Sequence, residues 1–284
     1  KIWYNNELVD WNDVKVHVLS HGLHYASCVF EGERVYDGEI FKLEEHTKRF
    51  FYSAERMGFE IPYTLEEINA ASKKIISIQN VSNGYVRPVA WRGSEQMAVS
   101  AQKTKIHVAV ATWEWGTYFD PKLLLKGISL SISDLRRPNP NSVPWDTKAS
   151  GLYMICTLSK HKAEKDGFTD ALMLDHEDNI AEATGANIFF KNKDGELHTP
   201  IPDSFLNGIT RRCVIDIAKS KGIKVIERKI KTDEIRNFVG CFLTGTAAEI
   251  TPVSKINDHT FEVCETIKNL SKSYQSLVRQ KNTA

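Results

Sequence analysis

Leu43, Thr47, Phe50, Ala54 and Met57 recur at steps of three and four, the spacing that collects side chains on one face of a helix. A helix is therefore predicted over residues 43–57, closed by Gly58 and Pro62. Thr64 followed by Glu67 has the form of a capping box, so TLEEINAASKKIISIQ is predicted as the next helix. Asp37-Gly38 separates the strand-like runs CVFEGERVY and EIFKL and marks a hairpin, since a tight turn needs positive φ. GYVRPVAW and KIHVAVAT then read as further strands.

WEWGTYFDPK, residues 113–122, is rich in aromatics and turn formers and reads as a linker. Beyond it GISLSIS alternates like a strand, residues 152–165 are helical, and TDALMLD and ANIFFKN are strand-like. Asp194-Gly195 marks a second hairpin. Residues 208–221 read as a helix ended by Gly222, IKVIERK and VGCFLTG as strands, and residues 261–280 as a C-terminal helix. The expected organisation is α+β in two domains: a smaller one over residues 1–115, an interdomain loop at 116–122, and a larger one over 123–284.

A chain of 284 residues can bury a substantial core, and 42% hydrophobic with 26% charged residues is ordinary for a globular protein. The formal net charge of +1 argues against nucleic acid or a membrane surface as partner. No apolar run approaches the roughly 20 residues of a spanning helix, and KIWYNNELVDWND has no signal-peptide core. The chain begins at Lys1 without Met, which leaves a short preceding leader open. Cys28, Cys156, Cys213, Cys241 and Cys264 are odd in number and scattered, with no C-x-x-C. Such usage fits a reducing compartment, and the cytoplasm is expected.

The chemistry starts at Lys148. It follows the turn-rich run RRPNPNSVPWDT and precedes Ala149-Ser150-Gly151, where a helix is about to begin. A lysine kept for solubility would sit among charges on an exposed face. LNGITRR places Gly208, Ile209 and Thr210 at a helix N-terminus, whose unpaired N–H groups and dipole suit a phosphate. Taken alone, the plainer reading is an ordinary helix start. FLTGTAAEITPV runs from a strand into Gly245-Thr246-Ala247-Ala248, small enough for backbone to approach an anion; tight strand-to-helix packing is the other reading. Arg49 could hold phosphate with two bonds or pair with a surface carboxylate. Glu182, set among apolar and small residues, should face a cation or strong donor. His17, His21 and His24 have spacings that suggest a metal site, but no acidic or Cys ligand lies near, and packing is favoured; no metal is expected. The run Asp175-His176-Glu177-Asp178-Asn179 reads as a solvated hairpin tip.

A sheltered lysine can have a depressed pKa and attack an aldehyde to form a Schiff base. With a phosphate seat and a carboxylate for a ring nitrogen, the set amounts to a receptor for pyridoxal 5′-phosphate. At this point the sequence resembles the class IV, fold-type IV pyridoxal-phosphate aminotransferases, and within them the branched-chain amino acid aminotransferases. The resemblance runs from IWYNNELVDW through SHGLHYASCVFEGERVY, YVRPVAW, RRPNPNSVPWDTKASGLY, EATGANIFF and LNGITRR to TGTAAEITPV. It implies a smaller N-terminal α/β domain and a larger C-terminal cofactor-binding domain with a pseudo-barrel of strands.

By that resemblance Lys148 is the catalytic Schiff-base lysine, Tyr153 meets the cofactor's 3′ oxygen and Glu182 its ring nitrogen. Arg49, the Ile209-Thr210 turn and Thr246 match phosphate contacts, while Tyr85 with the Thr246-Ala247 backbone matches the α-carboxylate site. Phe30, Gly32, Arg87, Trp115 and Tyr118 fall on the side-chain pocket. Tyr25, Met97 and Val99 match residues lent across a dimer interface, so a homodimer at minimum is expected, with a hexamer left open. Arg87 with Tyr25 would hold the distal carboxylate of glutamate, and Arg34 would add positive field. The implied reaction moves an amino group from leucine, isoleucine or valine to 2-oxoglutarate and back. Two features depart from the family pattern: Ala186 stands where many members carry a second glutamate, and Trp145-Asp146 is bulky and acidic. A D-amino acid aminotransferase, an aminodeoxychorismate-lyase-like enzyme and a non-catalytic binding protein of the same fold stay as alternatives.

Overall fold

The computed structural model describes residues 1–280, which fall into two compact units. The first holds residues 1–116 and 147–152, the second residues 117–146 and 153–280. Residues 147–152, expected to belong with the stretch 123–284, thus group with the first unit.

In the first unit the strands are β1 (Ile2–Tyr4), β2 (Glu7–Val9), β3 (Cys28–Phe30), β4 (Glu33–Tyr36), β5 (Glu39–Ile40), β6 (Gly84–Arg92) and β7 (Ile106–Glu114). Its helices are α1 (His21–Tyr25), α2 (Leu43–Arg56) and α3 (Leu65–Ile78). The sheet order is β2-β1-β7-β6-β4-β5, with β3 also on β6, and every pairing is antiparallel. Alternation sends Val86, Val108 and Val110 to the face covered by Phe50 and Ala54 of α2 and by Ile68 and Ile75 of α3. Each such side chain contributes about 1.5–3 kcal/mol on burial. The predicted capping box is present in both directions: Glu67 N donates to Thr64 Oγ1 at 3.2 Å and Thr64 N to Glu67 Oε2 at 2.7 Å. The Asp37-Gly38 turn joins β4 to β5 with φ of 51° and 85°. The expected linker starts later than residue 113, because Trp113 and Glu114 still pair with Tyr85 and Gly84.

The second unit comprises α4 (Pro121–Lys126), β8 (Ile128–Arg136), α5 (Met154–Lys165), β9 (Asp170–Leu174), β10 (Ile180–Ala183), β11 (Asn187–Lys191) and β12 (Leu197–Thr199). It continues with α6 (Ile209–Ser220), β13 (Val225–Glu227), β14 (Gly240–Gly245), β15 (Glu249–Ile256), β16 (His259–Thr260) and α7 (Glu265–Val278). The run β10-β9-β8-β15-β14-β11 closes on itself because β10 also pairs with β11, giving a mixed barrel of six strands. Leu130, Leu172, Ile188, Phe190, Leu243 and Val253 fill it. Residues of opposite parity on β11 and β14, such as the stacked Phe189 and Phe242, face outward, where α6 packs on β14 and α7 on β15.

Three expectations need correction. The helix read over 152–165 starts at Met154, and a 3-10 turn, Ser150–Tyr153, comes first. Ala149 is held in a bridge to Val29 rather than in the helix, and a 3-10 turn is a common way into an α-helix. The C-terminal helix is shorter than 261–280, since Phe261 is drawn into the barrel core. α4 begins inside the expected interdomain loop, at Pro121, because the first helical position has no use for the backbone N–H that proline lacks.

Candidate active site

Lys148 is held by its backbone first. Phe30 N donates to Lys148 O at 3.1 Å, Lys148 N donates to Ser53 Oγ at 3.1 Å, and Ala149 bridges Val29. The segment therefore runs as an extra rung along β3, and this is why it groups with the first unit. The ammonium nitrogen lies 4.7 Å from the centre of the Phe30 ring. Burial pushes the Lys148 pKa down; Glu31 and Tyr85 pull it back, while Arg49 and Arg87 depress it further. The amine is thus biased toward the neutral, nucleophilic form.

Arg49 pairs with a carboxylate, but a buried one. Glu31 accepts from Arg49 Nε at 2.5 Å and Nη2 at 2.9 Å, from His46 Nδ1 at 2.8 Å and from Gly32 N at 3.2 Å. Burial works against the Glu31 charge, yet Arg49 and His46 outweigh it and hold the carboxyl well below its usual range. Glu33, two residues on, is driven the other way by burial and by the charge of Glu31. Its two carboxyl oxygens are buried without a hydrogen-bond partner among the described residues. Burial also lowers the pKa of His46. Neither Glu31 nor His46 was given a role from sequence, although E-x-E beside an R-bearing helix was visible.

The expected side-chain residues of the first unit meet around Phe30 and Tyr85. Arg87 lies 4.6 Å from the Phe30 ring centre and 5.3 Å from that of Tyr85. Its Nε is buried without a partner among the described residues. Tyr85 is flanked by Trp115 at 4.6 Å and Trp113 at 5.4 Å. Gly32 is required by contact, since a Cβ there would lie 1.7 Å from the Tyr85 hydroxyl. Arg34 instead donates Nη1 to Gly116 O at 2.8 Å and lies over Tyr36. Tyr25 stacks on His21 at 4.5 Å and, like Met97 and Val99, is exposed. The histidines are used locally: His21 bonds Ser27 Oγ and Ala98 O, His24 bonds Val18 O, and His17 accepts from Leu19 N.

In the second unit Glu182 is opposite Asn187, and Asn187 is opposite Thr244, so the three share the outward face of adjoining strands. Asn187 Nδ2 donates to Glu182 Oε2 at 3.3 Å, and Arg137 Nε stands 3.5 Å from Glu182 Oε1. Arg137 and Asn187 were both missed from sequence; the first was hidden in an Arg-Arg pair, the second is revealed only by strand register. Gly208 caps α6 without a side-chain bond, which leaves the first-turn N–H groups of Ile209 and Thr210 to another acceptor. Thr210 Oγ1 is 3.5 Å from the Tyr274 hydroxyl. Thr246 and Ala247 are half-buried in the turn joining β14 to β15, so the alternative of strand-to-helix packing is replaced by a hairpin. Tyr153 ends the 3-10 turn, and Tyr118 is exposed, edge-on to Phe119 at 4.7 Å.

Residues 28–256 match the family model of amino-transferase class IV. The chain is 41% identical over 283 residues to the "Probable branched-chain-amino-acid aminotransferase" of Rickettsia felis, covering 98% of this chain and 96% of that protein. It is 39% identical over 290 residues to the branched-chain-amino-acid aminotransferase of Pseudomonas aeruginosa, covering 100% and 94%. Among solved structures, the T.th. branched-chain amino acid aminotransferase with pyridoxamine 5′-phosphate superposes with a TM-score of 0.94 at 37% identity, covering 98% of this chain and 93% of that one. The same enzyme complexed with N-(5′-phosphopyridoxyl)-L-glutamate gives 0.92 at 36% identity, with the same coverage. A match over most of the length, on a chain with a half-buried lysine and a glycine-capped helix in the expected places, is decisive: this chain belongs to the class IV aminotransferases.

Proposed function

We propose that this protein is a branched-chain-amino-acid aminotransferase, exchanging the amino group of L-leucine, L-isoleucine or L-valine with 2-oxoglutarate and using pyridoxal 5′-phosphate. The observation that carries the reading is Lys148, fixed along β3 by its bonds to Phe30 N and Ser53 Oγ, with its amine over the Phe30 ring and its pKa lowered by burial. The donor set fits the cofactor: a nucleophilic amine for an aldehyde, a carboxylate for a ring cation and an uncapped helix start for a phosphate. The T.th. relative, solved with pyridoxamine 5′-phosphate and with a phosphopyridoxyl-glutamate, supports the cofactor and glutamate as amino partner.

Pyridoxal phosphate, when bound, supplies an electron sink for the substrate Cα and carries the amino group between the two half-reactions. Lys148 Nζ takes the Cα proton and returns it in the reverse direction. Glu182 keeps positive charge on the ring nitrogen, and Tyr153 hydrogen-bonds the 3′ oxygen. The Ile209-Thr210 turn, Thr246 and Arg49 hold phosphate, with Glu31 fixing the direction of the Arg49 guanidinium. Tyr85 and the Thr246-Ala247 backbone take the α-carboxylate; Phe30, Gly32, Arg87, Trp115 and Tyr118 enclose the side chain. These assignments rest on the family resemblance.

A homodimer at minimum is part of the proposal, with Tyr25, Met97 and Val99 supplied to the other copy. The exposure of Val18, Leu23 and Val99 at 67%, 67% and 85% supports a partner surface there. No helix of the described residues is long and apolar enough to cross a membrane. A cytoplasmic location is part of the proposal, supported by five scattered free cysteines.

Borohydride reduction of the yellow protein should leave a phosphopyridoxyl group on the peptide containing Lys148. Lys148→Ala should still take up the cofactor through its phosphate and lose at least about 10²–10⁴-fold in turnover. An amino-donor screen against 2-oxoglutarate tests the substrate class, and a preference for D-amino acids would overturn it.

A further inference from the structure

We propose that Asn187 is a positioning residue that locks the Glu182 carboxylate and the start of α6 at one fixed spacing. The inference rests on the reading above, in which Glu182 serves the cofactor's ring nitrogen and the start of α6 its phosphate. Pyridoxal phosphate carries the ring nitrogen and, on a short 5′-methylene ester arm of the same ring, the phosphate, so the two receptors have to be held at a matching distance from each other.

Asn187 is built for that task. It is 4% exposed, and each end of its amide is used differently. Oδ1 accepts from Gly208 N at 3.1 Å; Nδ2 donates to Leu206 O at 2.9 Å and to Glu182 Oε2 at 3.3 Å. The amide orientation is dictated by its partners, because Gly208 N can only donate and Leu206 O can only accept. One side chain thereby bonds Leu206 and Gly208, on the approach to α6, and the carboxylate on the neighbouring strand. An aspartate would place a second negative charge beside Glu182, and an apolar residue would strand a buried donor and acceptor.

Gly208 makes the arrangement specific. Its φ of −60° and ψ of 142° suit any residue, so the backbone does not call for glycine. Space does: a Cβ at Gly208 would lie 2.3 Å from Asn187 Oδ1. The glycine that begins the phosphate-binding helix is there to admit Asn187, and the two positions form one device.

The test uses the full chain, freed of cofactor and titrated with pyridoxal phosphate and with pyridoxal, which lacks the phosphate. Asn187→Ala should weaken pyridoxal phosphate binding about tenfold, and pyridoxal binding less. Gly208→Ala should do the same by displacing the Asn187 side chain. The double variant should be no worse than either single one, since both remove the same contact. Asn187→Asp should retain the preference for the phosphate ester but move the pH profile of the bound cofactor's absorbance, through the new charge beside Glu182. Single variants that melt like wild type and bind both ligands normally would overturn the inference, as would strictly additive losses in the double. If Asn187→Ala does not fold, Gly208→Ala against Asn187→Asp decides in the same way. A wild-type chain that binds no pyridoxal phosphate would overturn the functional reading itself, a result distinct from any of these.

Discussion

The surroundings of Lys148 and those of Glu182 handle buried polarity by different means. Near Lys148 the first unit sets charge against charge. Glu31 is closed off by Arg49, His46 and a backbone N–H, and Glu33 beside it is driven toward its neutral form. Around Glu182 the second unit relies on neutral dipoles: the Asn187 amide, and the N–H groups of a helix start, joined by one more distant guanidinium. Ion pairs set how strongly a lysine holds its proton, because they change the local field. Amides set distances, because they are directional and add no charge. A nucleophile needs the first and a rigid ligand needs the second.

Substitutions can break this contrast at several points. Glu31→Gln should have the largest effect, destabilising the fold by about 3–5 kcal/mol in urea titrations at neutral pH, since the half-buried Arg49 guanidinium would lose the charge of Glu31. Glu31 has a folded pKa below its ordinary 4.5, so its contribution is present above that value and lost as the pH falls toward the folded one. The gap between wild type and variant should accordingly narrow in acid. Glu182→Gln should leave the melting profile nearly unchanged and slow turnover about 10²–10³-fold, with cofactor affinity altered only a few-fold. An equal loss of stability in both variants would erase the contrast. Tyr25→Phe should cost about ten- to a hundredfold in kcat/KM for glutamate, the value of a hydrogen bond to a charged group, and little for leucine. Equal losses would make Tyr25 a packing residue.

Glu33→Met should act in the opposite direction to Glu31→Gln, stabilising the fold by about 1–3 kcal/mol through removal of unsatisfied buried oxygens. The folded pKa of Glu33 is raised, so folding takes up a proton above the ordinary value of 4.5, and the wild type loses stability as the pH rises through the range between the two pKa values. The gain from Glu33→Met should therefore grow as the pH rises above the ordinary carboxyl value of 4.5. A gain that is flat with pH would show that Glu33 is ionised in the fold.

Local order was legible in the sequence because local chemistry produces it. The periodic face of α2, the Thr64–Glu67 box and the Asp37-Gly38 turn each depend on residues within a few positions of one another. The segment 147–152 was misread because its partners, Val29, Phe30 and Ser53, lie about a hundred residues away. Asn187 escaped notice for a similar reason, since its meaning depends on a register with Glu182 and Thr244 and on the approach of Gly208. The acidic run at 175–179 was read by composition as a solvated tip, yet Asp175 and Asn179 are buried, with Asp175 Oδ1 accepting from Glu177 N and Asn179 N. Composition reports that charges are present; only the fold decides which one turns inward to build the loop.

The barrel closes where β10 meets β11, and that ladder holds a single opposed pair, Glu182 with Asn187, whereas β11 and β14 share five. Of the joints around the ring, this one has the least backbone to lose when it opens. The proposed ligand would bear on both sides of it, through the carboxylate on one strand and the helix anchored to the next. Loading the cofactor would then work as a clasp: slow amide exchange at the joint, longer survival against protease and a later onset of heat inactivation should appear together when the protein turns yellow.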